Sequence, residues 1–187
     1  MHDANLPFPR GQTWSYFGKA GVTVPDTDAN QLMGQLFTVD DTIHDSGKDV
    51  TLRLVRNDSG AAITVARRCC GFAGVDAEEY GGAVDGYVGA AGEVGKPIDD
   101  AYPVGTVIPA NDYFYVVDAG PCKVKTSAST VNLAVHSAVT VDASGYVGGS
   151  KPTVDQAVLG VIDAASTDEA TEVLIYVEPG LRPGYGT

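Results

Sequence analysis

The chain has 187 residues, with 12 lysines and arginines against 24 acids, a net charge of −12 and a pI of about 4.4. That length suits one domain with a good core or two small ones. That charge repels free nucleic acid and anionic lipid, so neither is expected as a partner. With 23 glycines, 10 prolines, valine as the leading apolar type and few runs of strong helix formers, the composition favours a β-rich, loop-rich fold.

Residues 1–30 read as an extended arm. Pro7, Pro9 and Pro25 block regular helix and central strand, yet Phe8, Trp14, Tyr16 and Phe17 are more aromatic than a disordered tail warrants. Such an arm either docks on a partner or wraps its own domain. The start, MHDANLPFPRGQTW, lacks the basic end and apolar middle of a signal peptide. No apolar run approaches the ~20 residues of a membrane span. We therefore expect a protein that works where it is made, or inside an assembly built there.

Residues 31–187 read as a β-rich domain. Asn30–Val39 reads as a short helix or a strand, with Gly34 and the LFTV end favouring a strand from Gln35, followed by a polar connection over Asp40–Asp49. The stretch VTLRLVRNDSGAAITVARR, Val50–Arg68, reads as a β-hairpin. Val50, Leu52 and Leu54 alternate on one side of the break, and Ala61, Ile63 and Val65 on the other. Asn57-Asp58-Ser59-Gly60 supplies the turn, since Asn bonds its own main chain and Gly takes positive φ without a steric penalty. The hairpin also carries Arg53, Arg56, Arg67 and Arg68, the chain's only basic cluster. These arginines pair with the chain's own surplus acids or meet an acidic partner surface.

Residues 76–102 change character. Gly86, Gly89, Gly92 and Gly95 recur every third residue among acids, but the period is short and nearly without proline, which rejects a collagen-like helix. We read an acidic, Gly-rich surface excursion, with the look of an insertion. Strands then return. Tyr113–Val117 is continuously apolar, Asp118-Ala119-Gly120-Pro121 signals a turn, and Cys122, Val124 and Thr126 alternate after it, which together predict a second hairpin. Val131, Leu133, Val135, Val139 and Val141 hold one phase, broken only by Ser137, and read as a long strand carrying His136 on its polar side. Ala143-Ser144-Gly145 turns the chain, and Ala157–Ile162 and Val173–Val177 finish the sheet, the last with Val173, Ile175 and Val177 facing one way. Ser166–Ala170 is the one helix candidate after the first hairpin, a turn or two at most. Strands at this spacing without intervening helices predict an all-β fold, an antiparallel β-sandwich or β-barrel with an extended N-terminal arm and long Gly-rich loops.

Motifs that carry chemistry are missing from the sequence. There is no GxSxG elbow, and Gly145–Pro152 fails the spacing of a phosphate loop. Cys69, Cys70 and Cys122 form neither a disulfide framework nor a CxxC zinc pair. They read as buried free thiols that pack as small hydrophobes, although Arg67 and Arg68 could activate a neighbouring thiol. The carboxylate pairs Asp26 and Asp28, Asp40 and Asp41, and Asp99 and Asp100 lack the twelve-residue calcium loop and read as solubilising loop charges. No enzyme activity, cofactor or metal is expected.

Three stretches resemble the small β-rich cement, or decoration, proteins on the heads of tailed bacteriophages. They are VTLRLVRNDSGAAIT, VIPANDYFYVVDAGPCKVKT and the closing pattern AVTVDASGYVGG…AVLGVIDAASTDEATEVLIYVEPG, within roughly Gln35 to Gly180. The resemblance implies a virion structural protein that trimerises on the outside of an icosahedral shell, with the major capsid protein and its own copies as partners. It implies residence in the host cytoplasm during assembly and on the capsid exterior afterwards. The candidate partner-binding residues are Phe8, Trp14, Tyr16 and Phe17 of the arm, where buried aromatic anchors concentrate binding energy, with Arg53, Arg56, Arg67 and Arg68. Two rival readings stand beside it. One is a phage fibre or tail-associated module that recognises host-surface sugar or protein, with Tyr80, Tyr87 and Tyr102 as candidate contacts. The other is a hydrolase with paired carboxylates, which no spacing singles out.

Overall fold

The computed structural model describes residues 34, 36–41, 44, 46–64, 67–72, 83–87, 95–99, 107–126, 133–148, 158–162 and 172–178. The aromatic arm, Tyr80, Tyr102 and the Ser166–Ala170 segment lie outside them. Among the described residues twelve strands follow one another: β1 Leu36–Asp40, β2 Asp49–Asn57, β3 Ile63–Thr64, β4 Cys69–Phe72, β5 Ala83–Tyr87, β6 Gly95–Pro97, β7 Val107–Ile108, β8 Tyr113–Lys125, β9 Ala138–Val141, β10 Val147–Gly148, β11 Val158–Ile162 and β12 Glu172–Val177. Ten form one sheet in the order β10-β9-β11-β12-β8-β2-β5-β4-β6, with β1 also on β2, and β3 pairs β7 apart from it. The fold is all-β and mostly antiparallel, as expected. The described sheet is open, not closed into a barrel.

β8 is the spine. Its first half pairs with β2, from Arg56↔Tyr113 to Thr51↔Ala119. Its second half pairs with β12, from Val177↔Gly120 to Glu172↔Lys125. Its opening run, Tyr113–Val117, is apolar at every position because both faces are covered. Tyr113, Tyr115 and Val117 join Leu52 and Leu54 in the larger core cluster, which continues through Val124, Val139, Ile162, Val173, Ile175 and Val177. Phe114 and Val116 point the other way, into a smaller cluster with Val55, Ile63, Cys70, Ile98 and Ile108. Phe37 of β1 adds an edge-on contact to Tyr115, with ring centroids 6.0 Å apart. Burying each of these large side chains contributes about 1.5–3 kcal/mol.

Neither expected hairpin forms. Asn57 makes the local turn that its chemistry promises, since its Oδ1 accepts from the Ser59 amide at 3.2 Å, and Gly60 has φ +73°. The chain beyond does not return along β2. The Asn57 side chain is buried and donates to the Ile108 and Pro109 carbonyls at 3.1 and 3.0 Å, and its backbone exchanges hydrogen bonds with residues Asn111 and Asp112. That ties the end of β2 to the turn before β8. The next residues pair with β7 instead, Ile63↔Ile108 and Thr64↔Val107. The place a hairpin partner would occupy on β2 is taken by β8 on one side and by β1 and β5 on the other.

The Asp118–Pro121 stretch likewise fails to reverse the chain. Gly120 takes φ +103° inside a strand of 13 residues, and the strand changes partners there instead of ending. Pro121, which cannot donate, sits opposite Tyr176. The long strand expected to end at Val141 is also shorter than its phase suggests. Ser137 N bonds the Ala134 carbonyl at 3.1 Å and His136 has φ +66°, so 134–137 is a turn, His136 is exposed on it, and β9 begins at Ala138. The Gly-rich stretch is more than a surface excursion: it contributes β5 and β6, both hydrogen-bonded to β4. The turn at Ala143-Ser144-Gly145 does form, with Gly145 at φ +77°, and β12 buries Val173, Ile175 and Val177 as expected.

Candidate functional site

Of the candidate partner-binding residues, the structure describes the arginines. Arg53 and Arg56 lie on β2, while Arg67 and Arg68 lie on the strap leading into β4. Arg53 reaches Asp118 Oδ1 through Nη2 at 3.0 Å and donates to the same oxygen through Nε at 3.1 Å. Arg56 grips Asp58 with both prongs, at 2.6 and 2.7 Å, and this bidentate bond raises its already high pKa. Arg67 pairs with Glu172 of β12. Arg68 donates to the Ser144 carbonyl and lies over the Tyr146 ring, 4.6 Å from its centre. Three of the four thus pair with the chain's own acids, the first of the two alternatives the sequence left open. Arg67 and Arg68 also stitch the halves of the sheet together. The Arg67 carbonyl accepts from Lys125 N, the Arg68 carbonyl from Ile98 N, and Cys69 N donates to the Gly145 carbonyl.

Asp118 owes its position to a bulge. The β2–β8 register jumps from Thr51↔Ala119 to Leu52↔Val117, so Asp118 has no partner residue across the ladder and its side chain is re-aimed. It meets Lys96 Nζ at 3.3 Å as well as Arg53, and its own carbonyl accepts from Lys96 at 3.0 Å. Burial lowers the Lys96 pKa, against the opposing pull of Asp118. With two cations upon it, Asp118 serves as a structural counter-ion.

A second polar cluster is deeper. His44, from the connection after β1, lies between Asp41 at 3.2 Å from Nδ1 and Asp99 at 2.9 Å from Nε2, with all three side chains at 1% exposure or less. Asp41 also accepts from the His44 amide at 3.0 Å and from Ser46 Oγ at 2.6 Å. Asp99, just past β6, accepts from Lys123 N of β8 at 2.9 Å. Burial disfavours the charged ring, but Asp99 and Asp41 outweigh it and raise the His44 pKa above 6.5. In the sequence Asp40–Asp41 and Asp99–Asp100 read only as loop charges. Nothing in the spacing said that one member of each pair would meet His44.

The cysteines are as inert as their burial implies. All three are free and buried, and burial pushes the Cys69 thiol up to about 12 and raises Cys70 and Cys122 well above their ordinary value. The arginines beside Cys69 do not offset that burial, so a thiolate nucleophile is disfavoured there. Asp112, in the turn before β8, is 1% exposed, and neither carboxylate oxygen has a partner among the described residues. Burial raises its pKa from 3.8 to about 7. Among the described residues no group of three or more His, Cys, Asp or Glu side chains is arranged to hold a metal ion.

No protein-family profile matches the chain, and no curated protein does. Among solved structures it is similar to the N base of the head fiber gp8.5 of bacteriophage phi29, with a TM-score of 0.41 and 11% identity over 74% of this chain and 99% of that one. A TM-score of that size is too low for the likeness to bear on fold or role.

Proposed function

We propose that this chain is a capsid cement, or decoration, protein: a non-enzymatic virion component that sits as a trimer on the outside of a tailed-phage head, grips the major capsid protein and strengthens the shell. The observation that carries the reading is where the three resembling stretches lie. VTLRLVRNDSGAAIT becomes β2, its turn and β3, the VIPANDYFYVVDAGPCKVKT stretch becomes β7 and β8, and the closing pattern becomes β9 to β12. All converge on β8, which pairs with β2 and β12. The pattern shared with the cement proteins is therefore the part of the chain that builds the core, as a common architecture requires. A protein of this kind needs a domain that stays rigid under load. The cross-links at Arg53–Asp118–Lys96 and Arg67–Glu172 fit that demand, and the strong negative charge fits an outer surface that keeps particles dispersed.

The test is co-sedimentation of the purified chain with expanded heads that lack it. Saturable binding is expected, with heads that then withstand heating better. A chain lacking Met1–Asp28 should keep its β-type circular dichroism and bind less, and Trp14→Ala should reproduce part of that loss. Failure to bind heads, together with binding to host cells, would replace this reading with the fibre-module alternative.

A further inference from the structure

The geometry of the His44 cluster favours a protonated ring. A neutral imidazole carries one N–H and one lone pair, whereas an imidazolium carries two N–H donors. Here each ring nitrogen faces a carboxylate oxygen, Asp41 Oδ1 at 3.2 Å and Asp99 Oδ2 at 2.9 Å, in a site closed to water. The Nε2–Asp99 approach lacks hydrogen-bond geometry and is a close charge contact, while Nδ1 hydrogen-bonds Asp41, and only the charged ring is attracted to both carboxylates. Losing its proton sets a lone pair against one of the carboxylates.

We propose that His44 is a protonation-controlled clamp, which when charged fastens the connection between β1 and β2 to β6 and β8 through Asp41 and Asp99, and when neutral releases it. The two ends of the clamp belong to different parts of the sheet. Asp41 closes the β1–β2 connection, its amide bonded to the Lys48 carbonyl at 3.1 Å and its carboxylate to Ser46. Asp99 is anchored to the Lys123 amide on β8 and lies near the buried Cys122 thiol, which it helps to raise. Arg67 acts on the same thiol in the opposite sense. Lys48, at the far end of the connection, directs its ammonium to the Tyr176 ring of β12, 4.8 Å from the centre. Asp99 and Asp41 are the charges that raise the His44 pKa. With a folded-state pKa above the free value of 6.5, the clamp's contribution is complete below that value. It is lost as pH rises through the higher folded-state one.

The experiment uses the full chain with His2→Gln and His136→Gln, so that His44 gives the one histidine NMR signal. The ring is expected to lose its proton above pH 6.5. The melting temperature should fall over the same range, by about 3–5 °C for every pH unit separating the folded value from the free one. Asp99→Asn removes the second carboxylate, and should move the titration down towards 6.5 and flatten the melting profile. His44→Gln should abolish the ring's share of the fall and leave the share due to Asp112, which ends at about pH 7. The titration itself needs no change in the cluster, so it decides the matter even where a cluster variant fails to fold. A ring that titrates at or below 6.5, or a melting profile with the same slope in the parent and in both cluster variants, overturns the proposal.

Discussion

Gly120→Ala is the sharpest test of the claim that β8 passes close against β2 while changing partners. The residue has φ +103°, and a Cβ built on it would lie 2.5 Å from the Asp49 carbonyl oxygen and 3.0 Å from Val50 Cα. Both are backbone atoms in a paired strand, so neither can swing aside as a side-chain tip would. Positive φ costs a non-glycine residue about 1–2 kcal/mol, and overpacking of this kind adds about 1–3 kcal/mol. The expected loss is therefore roughly 2–5 kcal/mol, a large share of the 5–15 kcal/mol typical of a folded domain, and roughly 4–20 °C in melting temperature. Gly60→Ala is the matched control. Gly60 has φ +73° but nothing within 4 Å of the added Cβ, so it should lose only the backbone share, about 1–2 kcal/mol. Urea unfolding of both variants, with unchanged denaturant slopes, measures the crowding as the difference between them. Equal losses would mean that β8 does not approach β2 at Gly120, and the account of its partner switch would fail.

Other measurements address other parts of the structure. The thiols of Cys69, Cys70 and Cys122 should resist an aromatic disulfide reagent in the native protein and react on unfolding, and fast native labelling of any of them would contradict their burial. Asp112→Asn should gain stability relative to the parent as pH rises. The raised pKa means that the native carboxyl keeps its proton up to about 7 while the unfolded one loses it near 3.8, so the penalty is absent at low pH and complete above 7. At about pH 8 the gain should be about 1–3 kcal/mol, and a constant difference between the variants from acid to alkaline pH would refute it. Gly60→Val should cost about 1–2 kcal/mol, since β-branched residues resist positive φ, and an unchanged melting temperature would place Gly60 elsewhere. Light scattering of the purified chain, with a particle map of decorated heads, should show a trimer, and a monomer in both settings would refute that part of the proposed function.

Local pattern alone settled more of this protein than its lack of motifs suggests. The alternation in Val50–Leu54 and in Val173–Val177 foretold which side chains are buried, because side chains alternate across any strand whatever it pairs with. Gly60 and Gly145 were legible as turns for a similar reason, since a backbone that needs positive φ selects glycine wherever it occurs. Pairing was not legible. Asn57–Gly60 turns as its residues require, yet β2 takes β8 as its neighbour, because five register pairs with the apolar Tyr113–Val117 run bury far more than the short Ile63–Thr64 strand could. Asp118–Pro121 has turn chemistry and still runs straight on, since β12 is there to satisfy the second half of β8. The His44 cluster lies at the same limit. Its members stand more than fifty positions apart along the chain at the widest, and each alone is an ordinary polar residue of a connection. Their chemistry arises only where β1, β6 and β8 meet and exclude water, and that meeting is a property of long-range packing, which local sequence pattern does not record.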